Sequence, residues 1–302
     1  MQINSHNRSA VVMVARHQPF ITIHVNLMQH QTLFVFDIET IYDTDAAKIL
    51  TGCDDTDPIV LRQRLEEYHL SLTDGKNAFP RQPFHKVIAI SFLEADITRD
   101  SKGEQYTLKE LRSGGKADAD EKTLLEGFFQ YLAKLKPRLV SYNGRTFDLP
   151  VLKYRAMLHG ITAPWLYHSG DKWNSYHSRY SMDWHCDLLD AMSDFGASAR
   201  CKLNEICAVL GYPGKIGVDG SMVTPMYDEG RIKEIRDYCE TDVLNTYLVY
   251  LRYMYHRGDI SQASYNQAVG DVLSYVREAD DRPYLGEFFT AWNEACAGKF
   301  TF

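Results

Sequence analysis

Hydrophobic positions along this chain change period several times, and each change marks an element. From Thr32 to Phe36 a β-branched and aromatic run ends in acidic residues, the pattern of a buried strand that delivers side chains at its C-terminal end. Lys86 to Leu93 and Glu104 to Leu111 read as two more strands, an antiparallel pair whose intervening Thr98-Arg99-Asp100-Ser101-Lys102-Gly103 suits a hairpin turn. Leu124, Leu125, Phe128, Phe129, Leu132 and Leu135 then recur at helical spacing over Glu121 to Leu135, and Pro137 closes that helix before a strand over Arg138 to Tyr142. Leu149 to Leu158 is helical again with Gly160 as its stop, so Asp148 falls at a strand-to-helix junction. Helices are predicted near Leu203 to Leu210 and over Glu229 to His256, separated by a glycine-rich loop, 211–220, expected to be mobile. Tyr265 to Val276 and Leu285 to Cys296 read as two amphipathic helices of a C-terminal tail.

Two regions fit this pattern poorly. Residues 43–83 hold one helical stretch, around Ile59 to His69, between polar segments with Pro and Gly, and are expected to form an insertion over one face, with no obvious catalytic content and a role the sequence leaves open. Residues 1–27 lack the periodicity of the rest of the chain; a mostly disordered leader is expected there, with Met28 as a candidate natural start. Within the leader, Arg16, His17, Gln18, Pro19 and His24 interrupt the apolar stretch from Ala10 to Val25, which is neither a membrane span nor a signal peptide.

Composition narrows the class. With 302 residues, 45% of them hydrophobic, the chain can bury an extensive core, which excludes a disordered regulator. A formal net charge of −7 argues against a protein that coats nucleic acid through a broad basic surface, so a polyanionic substrate must be bound locally. The six cysteines form no CxxC pair and no zinc-ligand spacing with the histidines, as expected of reduced thiols in a cytoplasmic protein. No internal repeat or linker divides the chain.

The candidate chemistry lies where elements end. Side chains at i and i+2 of a strand share a face, so Asp37 and Glu39 point the same way while Ile38 turns into the core. Paired carboxylates repel unless a cation lies between them, and hard oxygen donors suit Mg²⁺, with Mn²⁺ as a substitute. On the long helix Tyr238 and Asp242 stand one turn apart on one face. Alone, each piece has an ordinary reading: a common strand end, a turn with a helix cap, a half-buried core tyrosine beside a solvated acid. Three such pieces in this order, each at the right element, favour a two-metal phosphodiesterase site.

Phe36-Asp37-Ile38-Glu39-Thr40, Asn143-Gly144-Arg145-Thr146-Phe147-Asp148 and Tyr238-Cys239-Glu240-Thr241-Asp242 resemble the Exo I, Exo II and Exo III motifs of the DEDD 3′-5′ exonuclease superfamily. The tyrosine marks the DEDDy branch, and the chain is most similar, over roughly residues 32–258, to predicted bacterial exonucleases related to the proofreading domain of family B DNA polymerases. The resemblance implies an α/β ribonuclease H-like fold, a mixed sheet of about five strands flanked by helices. It implies that Asp37, Glu39, Asp148 and Asp242 hold two Mg²⁺ ions, that Tyr238 orients the attacking water, that Asn143 lies near the substrate end, and that Thr40 contacts the terminal nucleotide through its backbone. Asp187, in His185-Cys186-Asp187-Leu188-Leu189-Asp190, resembles another feature of the branch, with a structural hydrogen-bonding role or a place near the metals. Lys215 could touch a phosphate or be an ordinary turn lysine, and Trp173, Tyr176, His177, Arg179 and Tyr180 could bind a single strand or form a surface loop.

The expectation is a ribonuclease H-like domain over 28–258 with a helical extension over 259–302 packed on it, acting as a metal-dependent 3′-5′ exonuclease on single-stranded 3′ ends, DNA in the first instance. An exoribonuclease with the same site, or a non-catalytic nucleic-acid-binding module, are the alternatives. Nothing in the chain names a protein partner.

Overall fold

In the computed structural model, which describes residues 30–217 and 219–302, the first strand explains most of the architecture. Strand β1 (Thr32–Tyr42) is buried on both faces. Leu33 and Val35 face one core and Phe34, Phe36 and Ile38 face another. Because side chains alternate, Asp37 and Glu39 fall on the Leu33 and Val35 side. The strand runs on through the acidic residues to Tyr42, past the end expected at Phe36, because His85 to Ala89 pair with this extension. Between Glu39 and Thr40 the register shifts, the signature of a bulge, a common device for re-aiming a side chain next to a site.

Helices α1 (Thr44–Thr51) and α2 (Pro58–Leu72) come next, the first capped by Asp43 and the second by Asp57. The antiparallel hairpin β2 (His85–Asp100) and β3 (Gly103–Ser113) is longer than its apolar runs suggest, and only Ser101 and Lys102 form the turn. Helix α3 (Glu121–Leu135) leads into β4 (Arg138–Ser141) and then α4 (Asp148–Leu158), α5 (Pro164–His168), β5 (His185–Asp187) and α6 (Leu188–Met192). After α7 (Leu203–Leu210) and α8 (Val223–Asp228), α9 (Ile232–Arg257) begins later than Glu229, because Gly230 in the left-handed region, φ 75°, separates it from α8. Two helices close the chain, α10 (Gln262–Glu278) and α11 (Pro283–Ala295).

The five-stranded sheet has the order β3-β2-β1-β4-β5, antiparallel from β3 to β1 and parallel from β1 to β5. This is the mixed, helix-flanked α/β sheet of a ribonuclease H-like exonuclease. Helices α3 and α4 cover one face; α9 crosses the other, buried almost throughout from Tyr238 to Leu251. Its outer side is sealed by α10 and α11, whose Tyr265, Leu285, Phe288 and Trp292 are fully buried in the same core as Leu33 and Val35. A helix buried all round loses its amphipathic stripe, which is why α9 reads weakly by periodicity. No helix among the described residues is long and apolar enough to cross a membrane. The leader expected over 1–27 lies outside the described residues.

Candidate active site

Strand alternation turns Asp37 and Glu39 toward α9, and α9 presents Tyr238 and Asp242 one turn apart to the same place. Asp148 arrives from the first position of α4, where its Oδ1 accepts the Ile38 N–H at 3.2 Å and so is fixed to β1 between the two acids. Gly144 permits the tight turn before it: a Cβ there would meet Ser141 Oγ at 2.4 Å. The four carboxylates predicted from sequence are thus brought together, and Tyr238 with them.

The electrostatics of the cluster are unfavourable as it stands. Burial, then the charges of Asp148, Glu39 and Asp242, push the Asp37 carboxyl well above its usual range. Burial and the Asp242 charge do the same to Glu39, against the opposing ammonium of Lys215. Burial and the Asp187 charge raise Asp148 to about 7, with backbone hydrogen bonds opposing. Asp242 is raised by burial, and its Oδ1 is a buried acceptor with no hydrogen-bond partner among the described residues. Cations placed among these oxygens would remove the repulsion and occupy that acceptor, so the residues fit hard divalent ions such as Mg²⁺ or Mn²⁺.

Lys215 belongs to the site. Its Nζ donates to the Tyr238 hydroxyl at 2.8 Å, and its backbone N–H donates to Asn204 Oδ1 at 3.0 Å. The glycine-rich loop that carries it does not hang free: Asn245 on α9 accepts the Gly214 N–H at 3.2 Å and donates to the Gly214 carbonyl at 2.9 Å. Burial and the charges of Asp242, Glu39 and Asp37 push the Tyr238 phenol far above its usual range, so it stays protonated.

Asn143 takes φ 71°, lines the cleft, and accepts from Thr146 Oγ1 through its side chain. Asp187 has a structural place: it accepts the backbone N–H groups of Asn143 and Arg145, both at 2.9 Å, and of Leu189 at 3.1 Å, shaping the turn that delivers Asp148. Thr40 sits beyond the bulge with its hydroxyl 3.0 Å from His85 Nδ1. The proposed stacking group divides. Tyr176 is buried with its hydroxyl on the Pro137 carbonyl at 2.7 Å, whereas Trp173 and Tyr180 are exposed.

Sequence reasoning missed two features. The Cys239 thiol lies 3.7 Å from Asp37 Oδ2, and the signal was its place next to Tyr238 in the third motif. Residues 43–83, whose role the sequence leaves open, help to wall the site: Arg62, Glu66 and Phe79 line a cavity of about 530 Å³ with Glu39, Thr40, His85 and Phe147. A larger cleft of about 900 Å³ also opens at the acids, lined by Asp37, Asp219 and Asp242 and by Arg200, Lys202 and Lys215 among others. The cluster therefore borders both an aromatic cavity and a cleft that carries acids and cations together.

A ribonuclease H-like sheet with a carboxylate cluster between β1, α4 and α9 defines the exonuclease class of this fold. The chain belongs to the family described as predicted 3′-5′ exonucleases related to the exonuclease domain of PolB, whose model matches residues 77–292. That match contains Asp148, Tyr238 and Asp242 and runs into α11; Asp37 and Glu39 precede it. The DNA polymerase epsilon catalytic subunit of Kluyveromyces lactis is 25% identical over 216 residues, 66% of this chain and 10% of that protein. Its counterpart in Aspergillus fumigatus is 27% identical over 221 residues, 66% of this chain and 9% of that protein. The Dictyostelium discoideum counterpart is 31% identical over 133 residues, 39% of this chain and 5% of that protein. The chain thus spans about a tenth or less of the length of these relatives.

Proposed function

We propose that the protein is a divalent-metal-dependent 3′-5′ exonuclease that hydrolyses single-stranded DNA 3′ ends to nucleoside monophosphates, with Mg²⁺ as the metal, Asp37, Glu39, Asp148 and Asp242 as ligands and Tyr238 as a catalytic residue. The observation that carries this reading is the buried cluster of four carboxylates with an orphaned Asp242 oxygen and one lysine to offset them. Two divalent ions held by these acids would supply Lewis-acid activation of a water and charge neutralisation at phosphorus.

The chain's own residues do the rest. Tyr238 keeps its proton and accepts from Lys215, so its hydroxyl hydrogen is directed at the Asp242 carboxylate, where it can orient a water held beside that acid. Lys215 brings a fixed positive charge to the side of the cleft where a phosphate would sit. Asn143 and the backbone of Thr40 flank the terminal nucleotide from the two cavities, where the aromatic cavity suits a base and the cations of the larger cleft, Arg200, Lys202 and Lys215, suit a backbone. DNA is favoured as the substrate because the relatives in Kluyveromyces lactis and Aspergillus fumigatus are DNA polymerase subunits.

The test is a 5′-labelled single-stranded DNA and its RNA equivalent incubated with Mg²⁺ or EDTA, with Asp37→Asn as control. A Mg²⁺-dependent ladder from the 3′ end of DNA, absent in the variant, is expected. A ladder that survives in the variant, or that forms on RNA alone, overturns the proposal.

A further inference from the structure

We propose that Asp190 assembles Arg179 and Arg200 into a phosphate-binding clamp, and that this clamp, with Tyr180 and Phe195 beside it, holds a single-stranded nucleic acid upstream of the end being cut. The clamp deepens the proposed exonuclease function, and rests on it, by adding the path of the strand.

Asp190, on α6, is buried, its side chain 5% exposed. Its Oδ2 accepts Arg179 Nε at 2.7 Å, and its Oδ1 accepts Arg179 Nη2 at 2.8 Å and Arg200 Nη2 at 2.7 Å. Two guanidinium groups on one carboxylate leave a net positive charge. Both arginine side chains also remain more than two-fifths exposed, at 43% and 42%. A guanidinium carries five N–H donors in a planar fork suited to phosphate, and among the described residues most of those on Arg200 find no partner. Arg200 lines the same cleft as Asp37 and Asp242, next to Lys202, so the clamp opens toward the acid cluster. In a chain of net charge −7, such a concentration of cations at a cleft is a local device.

The neighbouring backbone supplies a second, independent feature. Asp194 and Phe195 both adopt left-handed conformations, φ 48° and 56°, which side-chain-bearing residues disfavour. This turn places the Phe195 ring edge-on to Tyr180, centroids 4.7 Å apart, and aims the Phe195 carbonyl at Arg179 Nη2, 3.0 Å away. Tyr180 stays 69% exposed. An exposed, braced aromatic ring beside a cationic fork is what a single strand requires, a surface for a base and donors for its phosphate. An acidic protein would also suit the arginines, but the cleft that Arg200 shares with Asp37 and Asp242 favours the nucleic acid.

The test uses the full chain carrying Asp37→Asn to suppress turnover, and fluorescence anisotropy with a single-stranded DNA of about twelve nucleotides and with a dinucleotide. Arg200→Ala is expected to weaken the longer strand about ten-fold and to lower the slope of log affinity against log salt by about 0.7, the loss of one phosphate contact. Tyr180→Ala is expected to weaken it about ten-fold with the slope kept, because stacking releases no counterions. The dinucleotide should lose a smaller factor in each case. Arg200→Lys, which keeps the charge, should retain the slope and so exclude misfolding as the cause. Wild-type affinity and slope in both alanine variants overturn the clamp and leave the arginines as a latch or a protein contact. Turnover of the same strand by the unmutated chain with Mg²⁺ reads the exonuclease assignment separately: binding without turnover removes the reaction and keeps the clamp.

Discussion

Two clusters of buried charge share the same two elements and differ in composition. Within the second half of β1 and at the start of α4 lie Asp37, Glu39 and Asp148, joined by Asp242; just past β1 and two turns along α4 lie Asp43 and Arg155, joined by Glu121. In the second cluster every acid finds a partner. Arg155 Nε and Nη2 donate to Glu121 at 2.8 and 2.6 Å, its Nη1 donates to Asp43, and Glu121 also accepts the Val87 N–H at 2.7 Å. Asp43 in turn accepts from Asp45 and Ala46 at the start of α1. The first cluster has Lys215 as its opposing charge and keeps an acceptor unused. One set of buried ions ties α1, β2, α3 and α4 together, whereas the other holds charge apart for something that binds.

If that contrast is right, the clusters respond oppositely to neutral substitutions. Asp37→Asn should reduce hydrolysis by on the order of 10³-fold or more and, in EDTA, should leave the protein no less stable, because a repelling charge is removed. Kinetics and thermal unfolding on one preparation check both halves. Arg155→Ala should cost about 3–5 kcal/mol in urea denaturation, since it strands two buried carboxylates. A loss under about 1 kcal/mol would show that the second cluster does not tie the fold.

Tyr238→Phe should lower the rate roughly ten- to a hundred-fold while leaving measurable turnover, since the ligands of the proposed metals stay in place. Loss equal to that of Asp37→Asn would contradict a positioning role. Mg²⁺ at about ten times its dissociation constant should stabilise the wild type by about 1.4 kcal/mol, an increment that Asp37→Asn should reduce, read as a shift in melting temperature.

The smallest effect is acid dependence in the paired cluster. Burial raises the Asp43 carboxyl, but the backbone hydrogen bond from Ala46 and the Arg155 guanidinium outweigh it and hold it below its usual value. A depressed carboxyl contributes stability above its unfolded value of about 3.9 and loses it as pH falls through the lower folded value. Asp43→Asn should therefore flatten the acid limb of the urea midpoint below about pH 4.

The parts legible from sequence are those that local geometry settles. Alternation along Leu33 to Glu39 put the two acids on one face, helical spacing put Tyr238 above Asp242, and the break between β4 and α4 exposed Asp148. The three-residue β5 is too short to carry a periodic signal, whereas α9 was legible as a helix although burial on all sides leaves it no amphipathic stripe to say which face meets the sheet. Lys215 read equally as a turn lysine, because its contact with Tyr238 depends on Asn204 and Asn245 fastening a loop from two different helices. The same holds for residues 43–83, whose polar segments show no catalytic pattern until Arg62 and Glu66 of α2 line one cavity with Glu39 and Thr40. Side-chain direction within one element is dictated by backbone period and can be read along the chain. Which cation meets which acid, and what walls a cleft, depends on hydrogen bonds between residues far apart in the chain, and those exist only once the sheet and helices have packed.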